Sequence, residues 1–186
     1  MLSDITQQDL LDLLDYDPDT GQLVWKPRPR GVFLSDQEYR RFNTRYAGSV
    51  AGTASVGGYV KVFVKGRVRA AHRLVWCIVY GAFPEGDIDH INGVKTDNRL
   101  ANLRACSASQ NMQCSRGWPN RSTGVRGVSR KSRGSWVARI RVGGVLLHLG
   151  SFPTVQQASE AYARAAVRHF KEFAPASARA VLEGSV

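Results

Sequence analysis

Asp89-His90, followed by Asn92-Gly93 and by asparagines at 102 and 111, combines one proton acceptor with several oxygen donors inside a short stretch of chain. A histidine with an ordinary pKa near 6.5 can take a proton from water at neutral pH, so His90 has the chemistry of a general base. Asp89 offers an anionic oxygen and Asn111 an amide carbonyl. Both are hard ligands of the kind accepted by Mg²⁺ or another divalent cation such as Mn²⁺. Two protein donors do not fill an octahedron, and water and a substrate phosphate would have to complete it. Asn102 cannot act as a base, but its amide can hold the His90 ring or the adjacent backbone. A metal beside a base stabilises a departing 3′ oxygen while water attacks, so the set points to phosphodiester hydrolysis.

The elements that must position these groups follow from local patterns. Asn92-Gly93 signals a turn, Leu100–Ala105 a short extended piece, and Ser107-Ala108-Ser109-Gln110 a capping box opening a helix. Asn111 then falls in the first turns of that helix, whose positive end favours a phosphate. A regular strand points Asp89 and His90 to opposite faces, so an irregularity or a strand end is expected there.

Upstream, Tyr59–Val64, Lys65-Gly66 and Arg67–Ala70 read as a hairpin around a two-residue turn. His72 to Tyr80 reads as an apolar helix ended by Gly81, with Pro84 three residues on. His72, a lone histidine opening that helix, is expected to be structural rather than catalytic. Residues 5–15 carry leucines at near-helical spacing until Asp17-Pro18-Asp19-Thr20-Gly21 stops the helix, and Leu23-Val24-Trp25 reads as a strand. Lys26 to Arg30 alternates basic residues with prolines. It reads either as an extended loop along a phosphate backbone or as a solvated linker.

The net charge is +11 and is unevenly placed: residues 115–186 hold 12 Lys/Arg against 3 acids, and residues 1–114 hold 14 against 12. The C-terminal part is therefore the main footprint for a polyanion. No basic amphipathic helix with a large apolar face accompanies the charge, and no apolar run approaches the roughly 20 residues that span a bilayer, which favours nucleic acid over membrane. The acidic start Met1-Leu2-Ser3-Asp4 lacks a signal core, so a cytoplasmic location is expected. Cys77, Cys106 and Cys114 form no CxxC pair and read as buried thiols rather than disulfides or a zinc ribbon. No protein partner is implied.

Ser115 to Thr123 contains Gly117, Pro119 and two arginines and is the natural boundary. Beyond it, Val125–Arg130, Trp136–Val142 and Val145–Gly150 read as three strands. Thr154-Val155-Gln156-Gln157 caps a helix whose stripe of Ala158, Ala161, Tyr162, Ala165 and His169 should cover that small sheet.

Ile88-Asp89-His90-Ile91-Asn92-Gly93 through Asp97-Asn98-Arg99, then Asn102-Leu103-Arg104 and Asn111, resembles the HNH motif of phage homing endonucleases. Ala71-His72-Arg73-Leu74-Val75-Trp76, Gly81 and Pro84 match the same group. The resemblance implies a ββα-metal fold with His90 as general base, Asn102 orienting it, and Asp89 and Asn111 as metal ligands. Asparagine rather than histidine at 111 favours Mg²⁺ over zinc. Further on, Thr123-Gly124-Val125-Arg126-Gly127-Val128, Gly134-Ser135-Trp136-Val137-Ala138-Arg139-Ile140-Arg141, Leu149-Gly150-Ser151-Phe152 and Ala158…Ala161-Tyr162 resemble the APETALA2 (ethylene-response-factor) DNA-binding domain, a three-stranded sheet on one helix. That likeness implies DNA contacts from Arg126, Lys131 and Arg141. Arg130 and Arg139 are further candidates from charge and alternation, and Arg133 from its charge where the plant motif has a tryptophan. Ser129, Arg139, Leu146 and His148 also depart from the plant motif, so its base preference does not carry over.

The expected fold class is α+β: a ββα-metal nuclease core followed by a small three-stranded antiparallel sheet packed on one helix. The expected order is an N-terminal helix and basic extension (1–54), the HNH core (55–114), a linker (115–122), the APETALA2-like domain (123–174) and a tail (175–186). The function expected is a metal-dependent, site-specific endonuclease of homing type acting on double-stranded DNA, in the host cytoplasm if phage-encoded. One base and one metal cut one strand per encounter, so nicking is expected of a monomer. The alternative is a DNA-binding regulator with a vestigial nuclease core.

Overall fold

A computed structural model describes residues 5–114, 123–131 and 134–184. The expected linker 115–122 and Arg133 lie outside the described residues. The chain forms two compact units, Met1–Ala105 and Cys106–Val186. Its elements are mixed helix and strand with small antiparallel sheets.

The first unit opens with α1 (Gln7–Leu13), capped by Thr6 and Asp9 in a reciprocal box. The leucine spacing predicts a longer helix, over 5–15. Instead the chain turns extended at Leu14, and β1 (Leu14–Tyr16) pairs antiparallel with β2 (Leu23–Trp25), in register Leu14 to Trp25. Sheet pairing that buries Leu14 and Leu23 in one cluster outweighs the helical spacing. The Asp17–Thr20 turn between them is tied by the Asp17 carboxylate, which accepts from the Thr20 hydroxyl and the Asp19 amide. Gly21 has φ +74°, and a Cβ there would strike the backbone of Asn98 and Arg99.

α2 (Asp36–Tyr46), capped by the Ser35 hydroxyl, has no fully buried residue. Its Phe42 ring sits between Phe33 and Tyr46, 5.6 and 5.1 Å away by ring centre. β3 (Thr53–Ala54), β4 (Val60–Val64) and β5 (Arg67–Ala70) form an antiparallel sheet in chain order. Lys65 and Gly66 both take positive φ, 48° and 76°, the turn geometry that matches the twist of a tight hairpin. Val62 and Val64 face inward against α3 (Ala71–Tyr80), which stops at Gly81 in the left-handed conformation. β6 (Asp87–His90) and β7 (Leu103–Cys106) form a two-stranded sheet. One apolar core links α1, β1 and β2 with β4, α3, Ile88 of β6 and Leu103 of β7.

The second unit begins with α4 (Ala108–Cys114), whose capping box joins Ser107 and Gln110 as the sequence predicts. β8 (Val128–Arg130), β9 (Trp136–Val142) and β10 (Val145–Phe152) form an antiparallel sheet with β9 in the centre. α5 (Val155–Phe170), capped by Thr154, packs on that sheet. Its buried residues are Ala158, Tyr162, Ala163, Ala166 and Phe170, while Ala161 and Ala165 are half-buried and His169 is exposed. The expected stripe ending at His169 is thus rotated toward Phe170. The reason is a second cover: α6 (Ala176–Glu183), within the expected tail, packs against α5 and adds Ala178 to the core. Gly127 has no room for a side chain, because a Cβ would meet the Tyr162 ring. Cys77 and Cys106 are buried and Cys114 half-buried, and all three are free thiols.

Candidate active site

His90 is the last residue of β6, where the strand gives way to a turn in which the Gly93 amide donates to the His90 carbonyl at 2.8 Å. Asp89 and His90 thus stand at a strand end, as expected, with His90 buried and Asp89 half-buried. His90 is buried, at 5% exposure, and its Nε2 lies 3.2 Å from Oδ1 of Asn98. The Asn98 Nδ2 donates to the Thr96 carbonyl, which turns Oδ1 toward the ring. A neutral His90 therefore carries its hydrogen on Nε2 and keeps a lone pair on Nδ1. Burial pushes the His90 pKa below the usual value, opposed by the Asn98 hydrogen bond and by the charges of Asp89 and Asp97. That keeps the ring neutral, the form a base needs.

The Asn102 side chain makes its hydrogen bonds to backbone groups rather than to the ring. Its Oδ1 accepts from the Asn92 amide at 2.9 Å, its Nδ2 donates to the Asp97 carbonyl at 2.8 Å, and its carbonyl accepts from the Ile91 amide at 2.9 Å. Of the two roles open to it, it holds the backbone after His90. Asp97 grips Arg99 through both carboxylate oxygens and accepts from the Asn92 side chain, which holds its pKa down to about 2. The amide-rich stretch is thus a hydrogen-bonded scaffold around one base. The Tyr16 hydroxyl extends it from β1, donating to the Asn98 carbonyl at 3.2 Å and accepting from the Leu100 amide at 2.8 Å.

Asp89 is half-buried and pairs with Arg104 of β7, whose Nε and Nη2 donate to Oδ2 at 2.9 and 2.5 Å. Asp89, His90 and Asn102 belong to the first unit and Asn111 to the second. Among the described residues no group of three or more His, Cys, Asp or Glu side chains is gathered to hold a metal.

Two aromatic residues complete the surroundings of His90. The His72 ring stands edge-on to it, centroids 5.1 Å apart at 87°, and Tyr59 lies 5.4 Å from His72 and 6.0 Å from His90. His72 is buried, its Nδ1 lacks a hydrogen-bond partner among the described residues, and burial together with His90 lowers its pKa to about 4. Lys95 caps the Tyr59 ring with its Nζ 4.5 Å from the ring centre. Sequence reasoning assigned no role to Asn98 or Tyr59. The signal for Asn98 was a buried histidine's need for a polar partner, with an amide eight residues on.

In the second unit, Arg139 and Arg141 are exposed on one face of β9, opposite His148 and Leu146 of β10. Lys131 is exposed at the end of β8. Arg130 lies 5.9 Å from the Trp136 ring, and Arg141 donates to the Gly144 carbonyl. Arg126 is turned inward, donating to the Gln113 and Met112 carbonyls at the end of α4. The likeness did not foresee that use.

Residues 69–113 match the family model for HNH endonuclease. The match runs from the end of β5 through α3, β6 and β7 into α4. It supports nuclease activity with DNA as substrate. No curated protein and no solved structure matches the chain. No helix among the described residues is long and apolar enough to cross a membrane.

Proposed function

We propose that the chain is a metal-dependent, site-specific DNA endonuclease of homing type that nicks one strand of a duplex, its C-terminal unit targeting the DNA. The observation that carries this reading is the hydrogen bond from His90 to Asn98. It fixes a neutral, buried imidazole with its lone pair on Nδ1, inside the stretch that matches the HNH family. His90 takes the proton of the attacking water at Nδ1, and the positive charge that develops is eased by Asp89 and Asp97, both of which favour the charged ring. Asn98 holds the imidazole, while Asn102 fixes the turn from which it projects.

Asp89 and Asn111 would hold the metal. Their carboxylate and amide oxygens fit Mg²⁺ or Mn²⁺, and with two donors most of the coordination shell falls to water and phosphate. Such an ion supplies stabilisation of negative charge on the phosphate and on the departing 3′ oxygen. Arg104 holds the Asp89 carboxylate in place by two hydrogen bonds to its Oδ2. The exposed Arg139 and Arg141 share the outer face of β9, Lys131 and Arg130 are exposed at the end of β8, and DNA phosphate is the natural counterpart of these charges.

The test is nicking of supercoiled plasmid with Mg²⁺. His90→Ala is expected to slow nicking by about 10²- to 10⁴-fold. Unchanged nicking would overturn the assignment of the base, and a wild-type chain that binds DNA but cuts none would make it a regulator with a vestigial core.

A further inference from the structure

We propose that the groove between α2 and the outer face of the β3–β4–β5 sheet binds a single strand of DNA. The groove has a volume of about 830 Å³ and lies wholly within the first unit. Four cations line it, Arg28, Arg45, Lys61 and Lys65, and no acid does. Lys65 is paired with Asp9 at 2.5 Å, which leaves three cations to meet a polyanion.

The face between those charges is apolar and exposed. Phe63 and Val68 stand opposite each other in the β4–β5 register, and each is 65% exposed. Strand alternation puts Phe63 on the same side as Lys61, and both line the groove with the turn residue Lys65. Arg28, one of the basic residues of the proline-interrupted loop, does not extend into solvent. Its guanidinium lies 4.2 Å from the Phe42 ring centre and 5.6 Å from that of Trp25, and its buried Nε has no hydrogen-bond partner among the described residues. Its loop neighbours are engaged elsewhere: Lys26 pairs with Asp15, and Arg30 with Asp36.

A cationic groove with exposed aromatic side chains is the physical pattern of a single-strand platform: the charges track phosphates, and the rings stack on bases. A duplex hides the faces of its bases, so an exposed Phe63 gains little from it. The cations without acids disfavour a protein partner of mixed charge. A nick frees one strand end, which is the substrate such a platform would hold. The proposal rests on the nuclease reading only in taking DNA rather than RNA. Binding is read without cleavage, so the two readings fail separately.

The experiment uses the full chain carrying His90→Ala, without divalent cation, and a fluorescent mixed-sequence DNA strand of about 12 nucleotides. Phe63→Ala and Arg45→Glu, both at exposed positions, are each expected to weaken single-strand binding by about fivefold or more while leaving duplex binding unchanged. Photocrosslinking with a bromodeoxyuridine-substituted strand should place an adduct on the peptide containing Phe63. The proposal is overturned by wild-type affinity in both variants, by equal losses on duplex, or by an RNA strand that binds as tightly and loses equally. It is also overturned by a wild-type dimer that Phe63→Ala converts to monomer with no change in DNA binding.

Discussion

His90 and His72 are both buried imidazoles in contact, yet only one has a hydrogen-bond partner among the described residues. The difference separates their tasks. His90 is oriented by Asn98 with a lone pair available, whereas His72 is a ring wedged against it and kept neutral. Keeping it neutral has a cost in acid. His72 titrates near 4 in the folded chain and near 6.5 when unfolded. Between those values the unfolded chain binds a proton that the folded chain refuses, so stability falls as pH drops through that window. His90 acts in the same direction, while Asp97 and Asp9, with pKa values of about 2, act only below the usual carboxylate range. The melting temperature is expected to drop by roughly 5 °C or more from pH 6.5 to 4. His72→Gln should flatten the drop, and an equally steep fall in that variant would contradict the account. At this scale the residue types were legible in the sequence, because Asp, His and Asn side chains advertise their chemistry. Their pairings were not. Asn98 rather than Asn102 meets the ring, since which amide points inward depends on the turn that Asn102 itself builds.

The elements that hold this turn come from far along the chain. Tyr16 of β1 reaches across to the Asn98 carbonyl and the Leu100 amide, joining the N-terminal strand pair to the loop that orients the base. Tyr16→Phe removes both bonds without changing the ring. It is expected to cost about 1–2 kcal/mol in denaturant unfolding and to reduce nicking more than it changes DNA affinity. Undiminished stability would mean that the hydroxyl is replaced by water. This bridge could not be read from sequence, since Tyr16 falls between the helix expected over 5–15 and its Asp17–Gly21 stop, where no local pattern names a partner 82 or 84 residues on. Patterns confined to a few residues were legible: the Lys65-Gly66 turn, the Gly81 stop and the box at Ser107 form as read, and at Thr154 the hydroxyl caps the helix by accepting from the Gln157 amide. α2 was not, because its residues are largely polar and none is fully buried, so no apolar stripe marks it.

Over the whole molecule the charge is carried mostly by the C-terminal part, while the candidate base sits in the first unit. The exposed Arg139 and Arg141 belong to the unit that holds the excess. If both meet phosphate, Arg139→Ala with Arg141→Ala should reduce the slope of log affinity against log salt by about 2 on any duplex. An unaltered slope would remove that face from the DNA contact. The α+β class and the small sheet under one helix were legible from patterning, whereas α6 lay hidden in a stretch that reads as a tail. The three thiols add something different. Cys77 is sealed in the core of the first unit, and Cys114 is half-buried in the second, where its sulfur donates to the Phe173 carbonyl. With no disulfide to mask them, each becomes a kinetic clock for its own unit. The rate at which an alkylating reagent modifies each cysteine reports how often that unit opens, and a single mass spectrum tells whether the two open together or apart.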